Sequence, residues 1–526
     1  MIEAGGTRGE PRWAKVIDHS RCIGCHACTT ACKSENVVPL SVTRTYVKHV
    51  DVGTFPNARR AFQVTRCNQC EHAPCVTACP TSAMFRRRDG IVDFDKSVCI
   101  GCKACIAACP YDAIFINPED HSAEKCNFCA HRIDMGLEPA CVVVCPTEAI
   151  LVGDLSDPLS KVARIVEGDV VHVRRPEKET KPKLFYKHAH HATLDPLAAR
   201  RPDGGLFMWS EQGNVPHQVP SGHPGAWNSA AAAVLSYDVP HRAPWDWRVS
   251  LYTWTKGVAT GSYLVALALA VSGLLPWTSA LWRTVVPVLA GVFLALTGAL
   301  LVADLEHPRR FLLIFTRPQW RSWLVRGGVL ITAFSIVLLI HFVAGLAGSA
   351  DVTRLLSWAG APLALLTAVY TAYLFAQAKG RDLWQNPLAP AQLAVQAALV
   401  GAAALLLVIQ AMGFLVLYAA ATGPSGPMVR VLAPGVLLWV VSASAALHLV
   451  LLLGEHTLTH ATAHARLAAH EMTRGRYAIA FWAGIILTAN AVLAPWVGVW
   501  AAVPALLGVL VHEHAYVQAG QAVPLA

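Results

Sequence analysis

The hydrophobic pattern divides the chain in two near residue 250. Beyond that point, long runs of Ala, Leu, Val and Gly recur at 252–276, 283–303, 322–347, 358–378, 390–415, 430–454, 477–496 and 497–514. A bilayer crossing takes about 20 consecutive apolar residues. The pattern therefore predicts an all-α membrane bundle of about eight helices, the last two parted only by a turn around Pro495. Small residues recur inside the runs (GVATGS, AGVFLALTGAL, LVGAAAL), a composition that lets membrane helices approach closely.

Before residue 250 the pattern changes. Polar and charged positions dominate, and short alternating runs such as GIVDFD (90–95) and AIFIN (113–117) predict β-hairpin segments. Residues 156–250 hold many Pro, Gly, His and Trp and little periodicity; the stretch KLFYKHAHHATLDPLAARRPDGGLFMWS reads as an extended arm. The expected organisation is a polar domain over 1–155, a linker over 156–250 and a membrane unit over 251–526.

Composition agrees with this division. Of 526 residues, 54% are hydrophobic and only 15% charged, which is unusual for a soluble protein. The net charge of +9 is accounted for by loop arginines beside a membrane. No basic helix or interleaved aromatic run points to nucleic acid, which is excluded as a partner. Loop charge sets orientation. On the side that carries the polar domain, the loops hold Arg309, Arg310, Arg317, Arg321, Lys379, Arg381, Arg466, Arg474 and Arg476; the opposite loops hold Arg283, Arg354 and Arg430. This asymmetry predicts an inner-membrane protein with the polar domain on the cytoplasmic side; export together with a signal-bearing partner is the alternative. The N-terminal stretch has neither an apolar signal core nor a twin-arginine pair, in keeping with that side.

All sixteen cysteines lie between Cys22 and Cys145, in four groups of four. CIGCHACTTAC (Cys22, Cys25, Cys28, Cys32) and CIGCKACIAAC (Cys99, Cys102, Cys105, Cys109) share the C-x2-C-x2-C-x3-C spacing of a bacterial iron–sulfur run. The second group is Cys67, Cys70, Cys75 and Cys79, and the fourth is Cys126, Cys129, Cys141 and Cys145. Three of the groups end in Cys-Pro. Zinc or disulfides are the alternatives, but the C-x2-C-x2-C-x3-C-P run is far more specific for a cubane. Four quartets supply thiolates for four [4Fe–4S] clusters, so an α+β ferredoxin-like polycluster domain is expected.

With these motifs the first part, over about 12–190, resembles the four-cluster electron-transfer subunit of the molybdopterin enzymes of the dimethyl-sulfoxide-reductase superfamily. The resemblance implies that groups one and four form one pair and groups two and three the other. One cluster then takes Cys22, Cys25, Cys28 and Cys145; its neighbour takes Cys126, Cys129, Cys141 and Cys32. The third takes Cys67, Cys70, Cys75 and Cys109, and the fourth takes Cys99, Cys102, Cys105 and Cys79. The first pair is implied to face a molybdenum or tungsten bis-pterin catalytic partner and the second pair the membrane.

The membrane half, from about 250 to 526, resembles the polysulfide-reductase-type anchor of the NrfD family. The likeness rests on KGVATGSYL, DLEHPRRF, Ser322–Trp323, YTAYL, DLWQNPLAP and YVQAGQ. It implies a quinone site near the polar-domain ends of the first four helices, and no haem. Ionisable groups inside or at the ends of membrane helices are functional candidates. His307 and Asp304 are the first choices for carbonyl contact and proton exchange, with Lys256, Tyr370 and Tyr373 behind them. The mid-span His341 and His448 are set at different depths, so no single haem uses both.

The expected function is that of an electron-transfer and membrane-anchor subunit linking a separate pterin enzyme to the menaquinone or ubiquinone pool. The sequence shows no substrate site of its own beyond the quinone site. The alternatives are the equivalent wire and anchor of a membrane hydrogenase or multi-haem complex, and an ion-coupling module relaying through Asp304, His341 and His448.

Overall fold

The computed structural model describes residues 10–53, 56–200, 233–239, 241–422 and 434–526. In the polar half, β1 (Trp13–Asp18), β2 (Thr45–Val52) and β3 (Arg59–Arg66) precede two short hairpins. These are β4 (Met84–Arg86) with β5 (Val92–Phe94), and β6 (Ile114–Ile116) with β7 (Ala123–Lys125). β8 (Ile150–Asp154), β9 (Val171–His172), β10 (Leu184–Lys187) and β11 (Val234–Tyr237) follow. The two hairpins form where the sequence alternates, each directly after a cysteine group.

The stretch expected as an arm is in part core. β10 lies between β1 and β9 in a four-stranded sheet of order β8–β1–β10–β9, parallel to β1. Its alternation buries Leu184 and Tyr186 on one face and packs the partly buried Phe185 against Ala14, Val16 and Val162 on the other; so short a strand is easily read as coil. β11 adds to β2 in the second sheet, β11–β2–β3. His188 pairs with Asp18 at 3.1 Å, and His190 caps a short helix through Ala192 N–H. The remainder of that arm, 201–232, lies outside the described residues.

The membrane half consists of α1 (Trp247–Val271), α2 (Val286–Ala303), α3 (Trp323–Leu346), α4 (Ala350–Gln377), α5 (Ala389–Thr422) and α6 (Pro434–Thr457), followed by α7 (Ala463–Thr473), α8 (Ala478–Val492) and α9 (Ala502–Gln521). Among the described residues seven helices are long and apolar enough to cross a membrane, or eight if α7 and α8, bent by 70°, count as one broken span. Two boundaries differ from expectation. α4 starts at Ala350, so Arg354 sits inside it with its guanidinium over the Trp277 ring. The last span continues to Gln521 because its polar residues find buried partners. Helix α7 replaces an expected loop: Leu467, Ala468 and Met472 are buried against the cysteine domain and α9. The small-residue stripe has a measurable use at Gly261, where a Cβ would fall 1.7 Å from Ala397 O of α5.

The halves share one hydrophobic core, in which Ala78, Ile100, Ala104 and Ala108 pack with Trp245, Phe375, Trp384 and Met472. Polar bonds fix the seat. Trp245 Nε1 donates to Cys102 O at 3.2 Å, Arg310 Nη1 to Cys99 O at 3.0 Å, and Ser322 Oγ to Ala78 O at 2.8 Å. Arg381 donates to Gln521 O at 3.0 Å. One of the nine arginines and lysines counted for orientation, Arg310, thus holds the domain rather than the membrane surface, and Arg381 ties the connection before α5 to the end of α9. Arg430 of the opposite set lies outside the described residues.

At this seam His241 bonds Asp112 at 2.5 Å and Asp238 at 3.2 Å. Burial disfavours the imidazolium, but the two carboxylates outweigh it and push His241 up to about 10. Asp112 is held below the usual range: burial opposes this, and His241 outweighs it. His241 is raised in the folded state, so its stabilisation is complete below its ordinary value of about 6.5 and fades as pH rises towards 10. In detergent, the melting temperature of the native protein is expected to exceed that of His241→Gln most at pH 6. The gap is expected to narrow steadily to pH 9; a gap that is constant with pH contradicts this.

Candidate functional site

The cysteine loops fold so that groups distant in sequence meet. Cys79, Cys99, Cys102 and Cys105 line one cavity, and Cys22, Cys25, Cys28 and Cys145 line another. Cys32 lies within electrostatic reach of Cys126, Cys141 and Cys129, and Asn36 Nδ2 sits 3.7 Å from both Cys32 and Cys129 sulfurs. Cys75 is likewise grouped with Cys67, Cys109 and Cys70. The fourth cysteine of each run has crossed to another group, as a two-cluster ferredoxin ligand pattern requires.

The surroundings suit a buried, negatively charged iron–sulfur centre. Backbone N–H groups donate to sulfur: Met84 to Cys79 at 3.4 Å, Ala123 to Cys99 at 3.4 Å and Ala149 to Cys145 at 3.2 Å. Arg66, fully enclosed, donates to Cys141 Sγ at 2.9 Å, and Lys15 reaches the same sulfur at 3.7 Å. Burial, helped by the neighbouring cysteines and opposed by Arg66, raises the Cys28 thiol to about 11. At Cys141 burial acts in the same sense, but Arg66 and Lys15 overcome it and bring the thiol down to about 7. A thiolate is the ligand form, so these buried cations favour metal-bound sulfur over free thiol. Gly101 has φ +69°, and a Cβ there would meet Glu306 Cβ at 2.4 Å. The glycine inside CIGC therefore lets the membrane half close onto the third cysteine group.

Beneath that seat lies a cavity among α1, α4, α5 and α9, lined by Lys256, Thr253, Gln396 and Glu513 among apolar residues. Lys256 is buried; its ammonium bonds Thr371 Oγ1 at 2.5 Å and lies 4.5 Å from the centre of the Tyr370 ring. Glu513 lies in the same lining with Gln396 and Thr253. Tyr252, one turn from Lys256, is buried with its hydroxyl unpartnered among the described residues.

The structure unites two of the five sequence-chosen residues and separates the others. Lys256 and Tyr370 meet. Tyr373 instead stacks on Trp323 at 4.5 Å and is 40% exposed, because its side of α4 faces outward. Asp304 and His307 belong to the domain seam. Lys103 Nζ donates to Asp304 O at 3.0 Å, and His307 N–H bonds Ile100 O at 3.2 Å, which clamps the DLEH turn to the cysteine loop. Burial pushes Asp304 up to about 6, with Lys103 drawing it the other way. His341 bonds Trp282 O at 3.1 Å, and His448 stands beside His512.

Sequence reasoning missed Glu513, Gln396 and Thr371. The signal was present in HEHAYVQAGQ: with α9 extended to Gln521, Glu513 lies eight residues, about 12 Å, inside the helix end. Ending the span at 514 had put it at the surface.

Comparison with known proteins fits this geometry. Residues 59–155 match the model of the 4Fe-4S dicluster domain, and residues 236–524 match that of polysulphide reductase, NrfD. The B subunit of the tetrathionate reductase of Salmonella typhimurium is 41% identical over 213 residues, 39% of this chain and 82% of the relative. The B subunit of the polysulfide reductase of Wolinella succinogenes is 44% identical over 177 residues, 33% of this chain and 93% of that one. The B subunit of the selenate reductase of Mesobacillus selenatarsenatis is 37% identical over 210 residues, 34% and 72% of the two chains.

Proposed function

This protein is a member of the polysulphide reductase, NrfD family, and from that premise we propose that it joins a separate catalytic subunit to the membrane quinone pool. It is an iron–sulfur electron-transfer subunit fused to an NrfD-type membrane anchor. In our reading the four quartets named above hold four [4Fe–4S] clusters, which when bound exchange single electrons. The partner at the far end is a molybdenum or tungsten bis-pterin enzyme, the class implied by the sequence resemblance; tetrathionate, polysulfide and selenate reductases are the enzymes named among the relatives. The iron–sulfur domain faces the cytoplasm, the side favoured by loop charge.

One observation carries the quinone reading. The loop holding Cys99, Cys102 and Cys105 sits directly on the membrane half, bonded by Trp245 and Arg310, and α1, which follows Trp245, leads to the Lys256 cavity. Quinone chemistry requires hydrogen-bond donors at a carbonyl and a group that exchanges protons. Lys256, anchored by Thr371 and the Tyr370 face, is a fixed donor. Glu513 across the same cavity is the proton-exchanging group. Asp304 and His307 hold the seam instead of touching quinone.

Lys256→Met is expected to slow reoxidation of dithionite-reduced clusters by a menaquinone analogue by about 100-fold, the range of a lost transition-state donor. Iron content and midpoint potentials are expected to stay unchanged. Native reoxidation kinetics in the variant would refute this site.

A further inference from the structure

Two buried cations converge on one sulfur and have no carboxylate to balance them. Arg66 closes β3 and Lys15 stands inside β1, and each is 2% exposed. Arg66 Nη1 donates to Cys141 Sγ at 2.9 Å, and Lys15 Nζ to the same sulfur at 3.7 Å. Among the described residues no Asp or Glu pairs with either. Arg66 Nε and Nη2 have no hydrogen-bond partner there, and Lys15 lies over the Phe128 ring, 4.1 Å from its centre. Elsewhere the enclosed arginines are paired: Arg44 with Glu124 at 2.7 Å and Arg175 with Asp382 at 3.0 Å. A buried charge is costly unless an opposite charge meets it. For Arg66 and Lys15 the only anionic group in contact is the cysteine sulfur.

The same quartet receives a third donor. Arg44 Nη1, which can only donate, meets Asn36 Oδ1 at 2.7 Å and so turns the amide N–H2 of Asn36 towards Cys32 and Cys129, 3.7 Å from each sulfur. The other quartets lack such company. Cys79, Cys99 and Cys145 accept backbone N–H groups. Lys125 comes within electrostatic reach of Cys67 and Cys75, but its ammonium bonds the carbonyls of Val92 and Cys126. Among the described residues a cation touches sulfur only at Cys141.

We propose that Arg66 and Lys15 make the quartet of Cys32, Cys126, Cys129 and Cys141 the most readily reduced centre of the wire, a place where one electron rests during turnover, an assignment resting on the four-cluster reading. Reduction adds one negative charge to a bound cluster, and cluster potential follows net charge, hydrogen bonds to sulfur and burial. A cation about 3 Å away in an enclosed site is screened far less than one in water. Both side chains therefore favour the reduced form, and the guanidinium cannot lose its charge, so the bias is fixed. Quinone exchanges electrons in pairs, whereas clusters pass them singly. A centre that keeps one electron, supplied by quinol or by the catalytic subunit, leaves the others free to carry the second. The loop seated on the membrane half belongs to another quartet, that of Cys99 and Cys102, so the resting electron is held away from the membrane end.

The test is a redox titration of the intact membrane complex, read by low-temperature electron paramagnetic resonance and paired with iron analysis. Cys32→Ser alters or removes one signal and so marks the quartet. In the native complex the marked signal is expected to appear first as the potential is lowered. Arg66→Gln and Lys15→Gln are each expected to make that centre about tenfold harder to reduce, about 59 mV for one electron. A smaller shift is expected at the quartet of Cys22, because Arg66 also reaches Cys28, and none at the two quartets nearer the membrane. Arg66→Lys is expected to restore most of the loss. A marked signal that appears after the others in the native complex overturns the proposal, as do Gln variants with full iron that titrate like the native complex. Loss of about four irons in both Gln variants also overturns it, since the cations then retain a cluster instead of setting its potential. If Arg66→Gln alone loses iron, Lys15→Gln decides. A native complex without four titrating centres counts against the four-cluster reading, while the marked signal still decides the role of Arg66 and Lys15.

Discussion

Replacing Cys105 with alanine is expected to remove about four irons and to cut electron exchange with quinone by more than about 100-fold, some 2.7 kcal/mol of barrier. Cys105 lines the same cavity as Cys79, Cys99 and Cys102, and the loop carrying it is the part of the iron–sulfur domain bonded to the membrane half. A serial wire fails at its missing node. The matched variant is Cys22→Ala, in the quartet whose loop includes the exposed Cys25 and Ile23. It is expected to lose as much iron and yet leave the remaining clusters reducible by quinol. Iron analysis and quinol-driven bleaching of cluster absorbance read both variants. Equal bleaching in Cys105→Ala and Cys22→Ala would contradict the assigned order along the wire.

Asp382→Asn is expected to loosen the iron–sulfur domain from its anchor, at a cost of about 3–5 kcal/mol. The Asp382 carboxylate accepts from Arg175 at 3.0 and 3.1 Å, Lys178 at 2.6 Å and Thr462 at 2.6 Å, and is 2% exposed. Arg175 and Lys178 belong to the stretch before β10, Asp382 to the connection between α4 and α5, and Thr462 to the start of α7. One carboxylate therefore ties three segments. Neutralising it removes the salt-bridge partner of Lys178 and leaves Arg175 with only the half-exposed Glu177. The pair between Asp51 and Arg60, about half exposed, provides the comparison: Asp51→Asn is expected to cost under about 1 kcal/mol. Thermal unfolding in detergent and protease release of the iron–sulfur domain measure the contrast. Equal losses in the two variants would show that the Asp382 pairing does not hold the domains together.

These two variants fall on opposite sides of what could be read before folding. Cysteine spacing alone pointed to iron–sulfur chemistry, because three cysteines of each expected quartet lie close together in the sequence. Nothing in DLWQNPLAP marked Asp382 as a tie, since two of its partners, Arg175 and Lys178, are about 200 residues away along the sequence. The same distance hid Glu513. Its cavity is built by α1, α4, α5 and α9, and only their packing shows that Lys256 and Glu513 face one space. His307 was the opposite case: a histidine at a helix end beside a proline reads as a site, but its backbone bond to Ile100 holds it at the seam.

The sequence by itself determined the two-part architecture, the presence of the membrane helices, and the four cysteine groups of the iron–sulfur domain. Each of these follows from local composition or spacing: apolar length for a bilayer, alternation for a hairpin, cysteine intervals for a cluster. Tertiary structure alone decided that 184–187 is an inner strand and that α7 packs under the iron–sulfur domain. It also decided which ionisable residues share a cavity and that His448 meets His512. Those outcomes depend on which faces of distant helices and strands come together. Burial then fixes which polar groups need a partner inside the fold.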